Sequence, residues 1–247
     1  MTAWYDFIDG VNRRLQQLET EGCTDPFFRG QGETTWKLVT SLSREQSNPK
    51  FHDNKEARLF WDFRVNGSHF LPRACSEWTV LYHMQHFGLP TRLLDWTTNF
   101  ARALFFSMRH PISPSPTVFI LNPYEMNAAN QGGDRTLSNL HISFKQDYLS
   151  VLNSKQWPLG ALAVGGDASI DRLRNQKGAF TLHGDLNCDL EIRYPAAITK
   201  HVLPVEARQD AQQFLRLAGV DEYAIYSDLD GLARKIYRDE LGKSQSK

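Results

Sequence analysis

One stretch of the sequence constrains the fold more than any other, residues 84–107, MQHFGLPTRLLDWTTNFARALFFS. A Gly/Pro turn is followed by Arg92, Asp95 and two threonines, and then by a strongly apolar segment. Arginine and aspartate are rarely buried unless they are paired or used in function. The stretch therefore predicts either an Arg92–Asp95 pair that braces a tight turn, or a turn whose Trp96 and Thr97 face a pocket.

The spacing of apolar residues elsewhere predicts a mixture of helices and strands. Apolar residues from Trp4 to Leu18 recur three and four positions apart, which is typical of an amphipathic helix ending near Gly22. Further helices are predicted at about 54–65, 77–87, 168–176, 206–218 and 228–238, and one more, capped by Thr97, Thr98 or Asn99, runs through about Arg109. Strands are predicted within 26–36 and at 117–121, 179–183 and 198–203, whereas 122–160 shows no clear period.

Composition excludes several classes of protein. A chain of 247 residues with 41% hydrophobic and 23% charged residues is long enough to bury a substantial core, and its formal net charge of zero gives no overall attraction to polyanions. Its three cysteines form no CxxC pair, which argues against a disulfide framework and a zinc knuckle. With no signal peptide and no apolar run long enough to span a bilayer, a cytoplasmic protein without membrane contacts is expected.

Common cofactor and hydrolase motifs are missing from the sequence. It has neither a glycine-rich dinucleotide loop after a strand nor a P-loop, and it has no HExxH or GxSxG. His83 and His86 are three residues apart on one predicted helical face, which leaves metal-dependent hydrolysis as an alternative. Because no third ligand is evident, no metal site is predicted.

Four blocks, taken in order, carry a family resemblance. They are 28-FRGQG-32, 85-QHFGLPTRLLDWTTN-99 with 103-ALFFS-107, 172-RLRNQKGAF-180 and 225-IYSDLDGLARKI-236. Together these blocks resemble the FRG domain, which is named for its N-terminal Phe-Arg-Gly. The order of these features is in turn similar to that of ADP-ribosyltransferases: an early arginine comes first, then a hydroxyl-bearing segment before an apolar helix, and then a late polar residue.

This second resemblance implies a fold and a co-substrate. The implied fold is a single α+β domain with split small β-sheets like those of an ADP-ribosyltransferase and with extra helices at the N-terminus. The expected organisation is an N-terminal helix at 1–22, a core at 23–240 and a disordered tail at 241–247. The implied co-substrate is NAD, bound in a split pocket without a Rossmann fold.

The same resemblance assigns candidate roles to residues. The candidate catalytic residues are Arg29, Asp95, Thr97, Gln176 and Glu191, and the candidate cofactor-binding residues are Gly30, Gln31, Gly32, Arg92, Trp96 and Phe180. Arg29 suits a diphosphate, the glycines allow close backbone approach, Thr97 suits a ribose, and Trp96 or Phe180 suits the nicotinamide ring.

One position departs from the transferase pattern. Gln176 stands where a late glutamate is expected, and an amide carries no charge to stabilise a ribosyl cation. The charge must then come from Asp95 or Glu191. We therefore expect Arg29 to point into a concave site bordered by residues 95–97 and the start of 176–180, with one of these carboxylates nearby.

Two functional hypotheses follow. The first is an NAD-dependent ADP-ribosyltransferase, such as a bacterial toxin or anti-phage effector, that modifies a nucleic-acid or protein acceptor and is neutralised by an antitoxin or immunity partner. The second, favoured by Gln176, is a non-catalytic module of the FRG family that binds a nucleotide or a partner.

Overall fold

The computed structural model describes residues 2–52, 54–109, 115–130, 137–166 and 177–241, which form helices packed on a β-sheet. The strands are β1 (Phe27–Gln31), β2 (Leu93–Thr97), β3 (Thr117–Leu121), β4 (Ala161–Gly165), β5 (Gly178–His183) and β6 (Ile198–Val202). The helices are α1 (Thr2–Thr20), α2 (Ser41–Glu45), α3 (Lys55–Asn66), α4 (Glu77–His86), α5 (Phe100–Ser107), α6 (Pro123–Asn130), α7 (Leu140–Ser143), α8 (Tyr148–Ser154), α9 (Leu190–Arg193), α10 (Arg208–Leu217), α11 (Glu222–Tyr226) and α12 (Leu229–Leu241), with a 3-10 turn at Val205–Ala207.

The six strands form one sheet in the order β4-β5-β2-β1-β3-β6, and every neighbouring pair is antiparallel. This confirms the predicted α+β class, but the described strands form a single sheet and not the expected split small sheets. The two halves of the sheet meet at a narrow seam. β1 and β2 are paired at Phe28 and Thr97, whereas β1 and β3 are paired at five positions.

The segment predicted as a turn at Asp95–Thr97 is in fact strand β2. Its five residues pair with β5, from Leu93 opposite Leu182 to Thr97 opposite Gly178. The turn prediction was wrong because Asp95 and Thr97 are two residues apart and share one face of a strand, while Leu94 and Trp96 lie on the other face. The turn lies earlier, at Gly88, whose φ of +80° ends α4.

Helices cover the sheet on both faces. On one face, α3, α4 and α8 pack on β2, β5 and β4 around a core that includes Phe60 and Phe180. On the same face, α1, α5 and α10 pack on β1 and β3 around a second core that includes Phe28 and Val118. The other face carries a third core that includes Trp96. The helices of the first face therefore form two groups, one on the β2 side and one on the β1 side of the seam.

Most predicted elements are confirmed within about three residues, namely α1, α3, α4, β1, β3, β5, β6, α10 and α12. Asn99 is the N-cap of α5, where its Oδ1 accepts a hydrogen bond from the Arg102 main-chain N–H at 3.1 Å. The helix predicted at 168–176, which contains Gln176, lies outside the described residues, as does most of the tail expected at 241–247. No helix in the described part of the chain is both long and apolar enough to cross a membrane.

Candidate functional site

A cleft of about 850 Å³ lies at the seam between β1 and β2. The structure brings seven of the predicted site residues together in its wall: Arg29, Gly30, Gln31, Gly32, Asp95, Trp96 and Thr97. The volume is within the range of small-molecule sites, which is about 300–1,000 Å³. A concave site with Arg29 and Asp95 in its wall is therefore present, whereas the predicted border at 176–180 is not part of the described wall.

Arg29 lies in the middle of β1 and spans the seam. Its Nη1 donates a hydrogen bond of 2.6 Å to the main-chain oxygen of Asp95. Its Nε is buried and has no hydrogen-bond partner among the described residues. Burial lowers the pKa of the Arg29 guanidinium and the charge of Arg44 lowers it further, while Asp95 opposes both. Arginine nevertheless stays charged at neutral pH, so the cleft wall holds a cation whose buried Nε–H has no partner among the described residues.

Asp95 is the one carboxylate among the described residues that line the cleft. Its side chain is exposed, and its Oδ2 accepts a hydrogen bond of 2.8 Å from the Gln85 side-chain amide. The Gln85 oxygen in turn accepts from the Thr91 hydroxyl at 2.5 Å, which fixes the orientation of the amide. The Gln85 amide of α4 therefore positions this exposed carboxylate in the cleft wall.

Gly30 is explained by packing, not by access to a ligand. A Cβ at this position would lie 1.8 Å from the main-chain oxygen of Ala103 and 2.5 Å from the main-chain nitrogen of Ser107. The glycine therefore allows α5 to approach β1 closely. Its neighbour Gln31 has 6% of its surface exposed, and its buried Oε1 has no partner among the described residues.

The aromatic residues expected to stack on a ring are held in the core. Trp96 is 4% exposed and its indole N–H donates to the Thr181 hydroxyl at 3.2 Å. Phe180 is 1% exposed, packs against Tyr82 and is not part of the cleft wall. The Thr97 hydroxyl lines the cleft but accepts a hydrogen bond of 3.2 Å from the Asn99 main-chain N–H.

Arg92 does not pair with Asp95, so that prediction was wrong. Its Nε donates to Glu56 Oε1 at 2.6 Å, its Nη1 donates to the main-chain oxygen of Gly184 at 2.8 Å, and its guanidinium lies 4.6 Å from the Trp157 ring centroid. The Tyr148 hydroxyl donates to the same Glu56 oxygen at 2.7 Å. Arg92 is therefore the centre of a buried network outside the cleft.

The two late residues of the predicted site, Glu191 and Gln176, are not among the described residues of the cleft wall. Glu191 lies in α9 and forms an ion pair of 2.5 Å with Lys200 of β6, at the edge of the sheet. Gln176 lies outside the described residues. Of the two carboxylates considered for charge stabilisation, Asp95 is the one that lines the cleft.

Several residues of the cleft wall were not among the predicted site residues. They are Trp36, Lys37, Arg44, Gln85, Phe106, Arg109 and Tyr226, of which Gln85, Phe106 and Tyr226 belong to the blocks that carry the family resemblance. Trp36 is 49% exposed, and Arg109 lies 5.7 Å from the Tyr226 ring centroid. With Arg29, the described wall has four lysine or arginine side chains and one carboxylate, so its electrostatic character favours an anionic ligand.

The metal alternative has no support in the described ranges, where no group of three or more His, Cys, Asp or Glu side chains is placed to hold a metal ion. His86 lines the cleft and packs edge-on against Phe87, with ring centroids 4.6 Å apart. His83 is stacked against the same ring, with centroids 6.5 Å apart. Both imidazoles thus pack around an aromatic side chain.

A comparison with known families covers every described residue of the cleft wall except Tyr226. Residues 24–115 match the FRG domain. This match includes β1 with Arg29, the whole of β2 and α5, and it supports the FRG family. Comparisons with curated proteins and with solved structures gave no match.

Proposed function

We propose that the protein is an NAD-dependent ADP-ribosyltransferase-like enzyme that binds NAD in the cleft at the β1–β2 seam. The observation that supports this best is the placement of Arg29 and the exposed residue Asp95 together in the wall of a cation-rich cleft. Arginine matches phosphate oxygens in charge and geometry. The exposed indole of Trp36 adds a ring surface that suits a base.

The proposed reaction transfers ADP-ribose to an acceptor nucleophile. The bond between nicotinamide and C1′ of the ribose breaks and its electron pair leaves with nicotinamide, while the acceptor forms a new bond to C1′ and releases a proton to solvent. The transition state has oxocarbenium character, so nearby negative charge stabilises it. Asp95 supplies negative charge in the cleft wall to stabilise this transition state. Arg29 supplies the positive charge that holds the diphosphate.

Nicotinamide release tests this function directly. Purified protein is incubated with NAD and cell extract, and nicotinamide and labelled acceptor are measured. We expect turnover by the wild type and its loss in Arg29→Ala. Arg13→Ala, an exposed arginine of α1 outside the cleft, should retain turnover. A folded wild-type protein that neither binds nor consumes NAD would reject the proposal.

The proposed role is that of a bacterial toxin or anti-phage effector acting on a nucleic-acid or protein acceptor, with an antitoxin or immunity partner that blocks it. Expression in a bacterial host should then slow growth for the wild type and for Arg13→Ala, but not for Arg29→Ala. Equal growth of all three strains at equal protein levels would argue against a toxin.

A second candidate function is a non-catalytic module that binds a nucleotide or a partner. One observation favours it: Glu191 is paired with Lys200 outside the cleft, which leaves a single carboxylate in the described wall. Tight binding of NAD or ADP-ribose without nicotinamide release, in the presence of extract, would support this function over the enzyme.

A further inference from the structure

Arg44 reaches the same cleft as Arg29 from a different element. It lies in the last turn of α2, its guanidinium is exposed, and its side chain is part of the cleft wall. Its Nη1 donates to the main-chain oxygen of Val39 at 3.2 Å. In the described part of the chain, no carboxylate forms an ion pair with it, so its charge is not neutralised within that part.

The helix that carries Arg44 is firmly anchored. The Thr40 hydroxyl caps its N-terminus by accepting from the Ser43 main-chain N–H at 3.1 Å, and the Ser43 hydroxyl donates to the main-chain oxygen of Leu186 at 2.5 Å. The Leu42 main-chain N–H donates to the main-chain oxygen of Thr91 at 3.2 Å, just before β2 begins. The main chain at Arg44 is therefore fixed relative to the seam. This lowers the entropic cost of ordering the Arg44 side chain around a ligand.

Two guanidiniums in one cleft are electrostatically costly. The charge of Arg44 lowers the pKa of Arg29, in the same direction as burial, which indicates that the two cations repel each other. The one carboxylate of the described wall, Asp95, already accepts a hydrogen bond from Gln85. An anion that contacts both arginines relieves this repulsion.

We infer that Arg29 and Arg44 form a two-arginine site for the diphosphate group of a nucleotide, in which each guanidinium holds one phosphoryl group. Guanidiniums bind phosphoryl oxygens through paired, charge-assisted hydrogen bonds, so two of them fit a diphosphate better than a single phosphate. The inference rests on the nucleotide ligand of the proposed function, but it does not depend on catalysis.

Calorimetric titration with inorganic pyrophosphate and inorganic phosphate, in buffer without divalent metals, tests this site. The proteins are the wild type, Arg44→Gln, Arg44→Lys and the matched control Arg13→Gln. We expect Arg44→Gln to weaken pyrophosphate binding at least about tenfold, since charge-assisted hydrogen bonds are lost, and to weaken phosphate binding less. Arg44→Lys should be intermediate, because it keeps the charge and loses the fork, and Arg13→Gln should match the wild type.

The outcomes separate this inference from the proposed function. Pyrophosphate binding that depends on Arg44, together with an absence of NAD turnover, supports the site and rejects the enzyme. Unchanged pyrophosphate binding by Arg44→Gln, or an unchanged ratio of pyrophosphate to phosphate affinity, overturns the two-arginine site even if NAD is consumed. Since Arg44 is exposed on a short helix, thermal unfolding should confirm that its variants fold as the wild type does.

Discussion

The Arg29 guanidinium donates a hydrogen bond of 2.6 Å to the main-chain oxygen of Asp95, across the seam between two strands. β1 and β2 are paired only at Phe28 and Thr97 in the described structure, so this carbonyl is available to a side chain. The side chain thus substitutes for a missing main-chain contact and at the same time lies in the cleft. Arg29 therefore has a structural role that must be separated from any role in binding.

The structural role of Arg29 can be measured by its effect on stability. We expect Arg29→Ala to lower the free energy of unfolding by about 1–2 kcal/mol, because a charge-assisted hydrogen bond to a partly exposed carbonyl is lost. Urea unfolding of this variant, with Arg13→Ala as the control, measures the change. A loss of NAD binding much larger than this loss of stability would show that Arg29 also acts on the ligand, whereas an unchanged stability would mean that the seam does not need the bond.

Gly30 is expected to tolerate no side chain. Gly30→Ala should destabilise the fold by about 3 kcal/mol or more, since the new Cβ would collide with the backbone of α5 at Ala103 and Ser107. Gly165→Ala is the matched control within the same sheet, because a Cβ there meets nothing within 4 Å, and it should change stability by less than about 1 kcal/mol. Similar stabilities of the two variants, measured by chemical denaturation, would contradict the close packing of α5 on β1.

The elements that the sequence predicted are those whose pattern is local. The three-four spacing of α1 and the apolar run of β3 needed no knowledge of distant residues. The region 122–160, which shows no clear period, contains α6, α7 and α8, and the unpredicted strand β4 follows it; the structure of both depends on long-range contacts. For example, the Asn127 side chain exchanges two hydrogen bonds, of 2.8 and 3.0 Å, with the main chain of Ala163, which lies 36 residues away.

The site was predicted only where a motif marked it. Arg29 and Asp95 were found through blocks that resemble a known family, but Arg44 and Arg109 belong to no such block and are brought to the cleft by packing alone. The predicted pairing of Arg92 with Asp95 was wrong because packing between distant segments also decides the partner of Arg92. Sequence proximity suggested Asp95, whereas the true partner Glu56 comes from α3 and is 36 residues away.

The Arg92–Glu56 pair is expected to matter for stability and not for the ligand. Arg92→Met leaves the Glu56 carboxylate buried without its cation and should cost about 3–5 kcal/mol of unfolding free energy. Adding Glu56→Gln in the same chain should recover part of this loss, because the unpaired charge is removed. The fraction of Arg92→Met that remains folded should bind NAD like the wild type, since Arg92 lies outside the cleft; a specific loss of binding would contradict this.

Stability should fall in acid because of His183. Burial lowers the pKa of this imidazole to about 3, and the charges of Arg29 and Arg92 act in the same direction. Below about pH 6.5 the unfolded chain takes up a proton that the folded protein does not, so the unfolded state gains stability as the pH falls. Between pH 7 and pH 5 this costs the fold about 2 kcal/mol. Urea unfolding of the wild type and His183→Gln at both pH values should show a smaller decrease for the variant, and parallel decreases would rule out His183 as the cause.

A substitution at Asp95 distinguishes a role in catalysis from a role in ligand binding. Asp95→Asn keeps the shape of the side chain and an oxygen that can accept the Gln85 hydrogen bond, but it removes the negative charge from the cleft. If the carboxylate stabilises a ribosyl cation, kcat for nicotinamide release should fall by about 100-fold or more while the Kd for NAD changes by less than about threefold. Asp9→Asn, which alters an exposed acid of α1, should leave both values unchanged. Undiminished turnover by Asp95→Asn would remove the carboxylate from the mechanism, and a weakened Kd with unchanged kcat would assign Asp95 to ligand recognition instead.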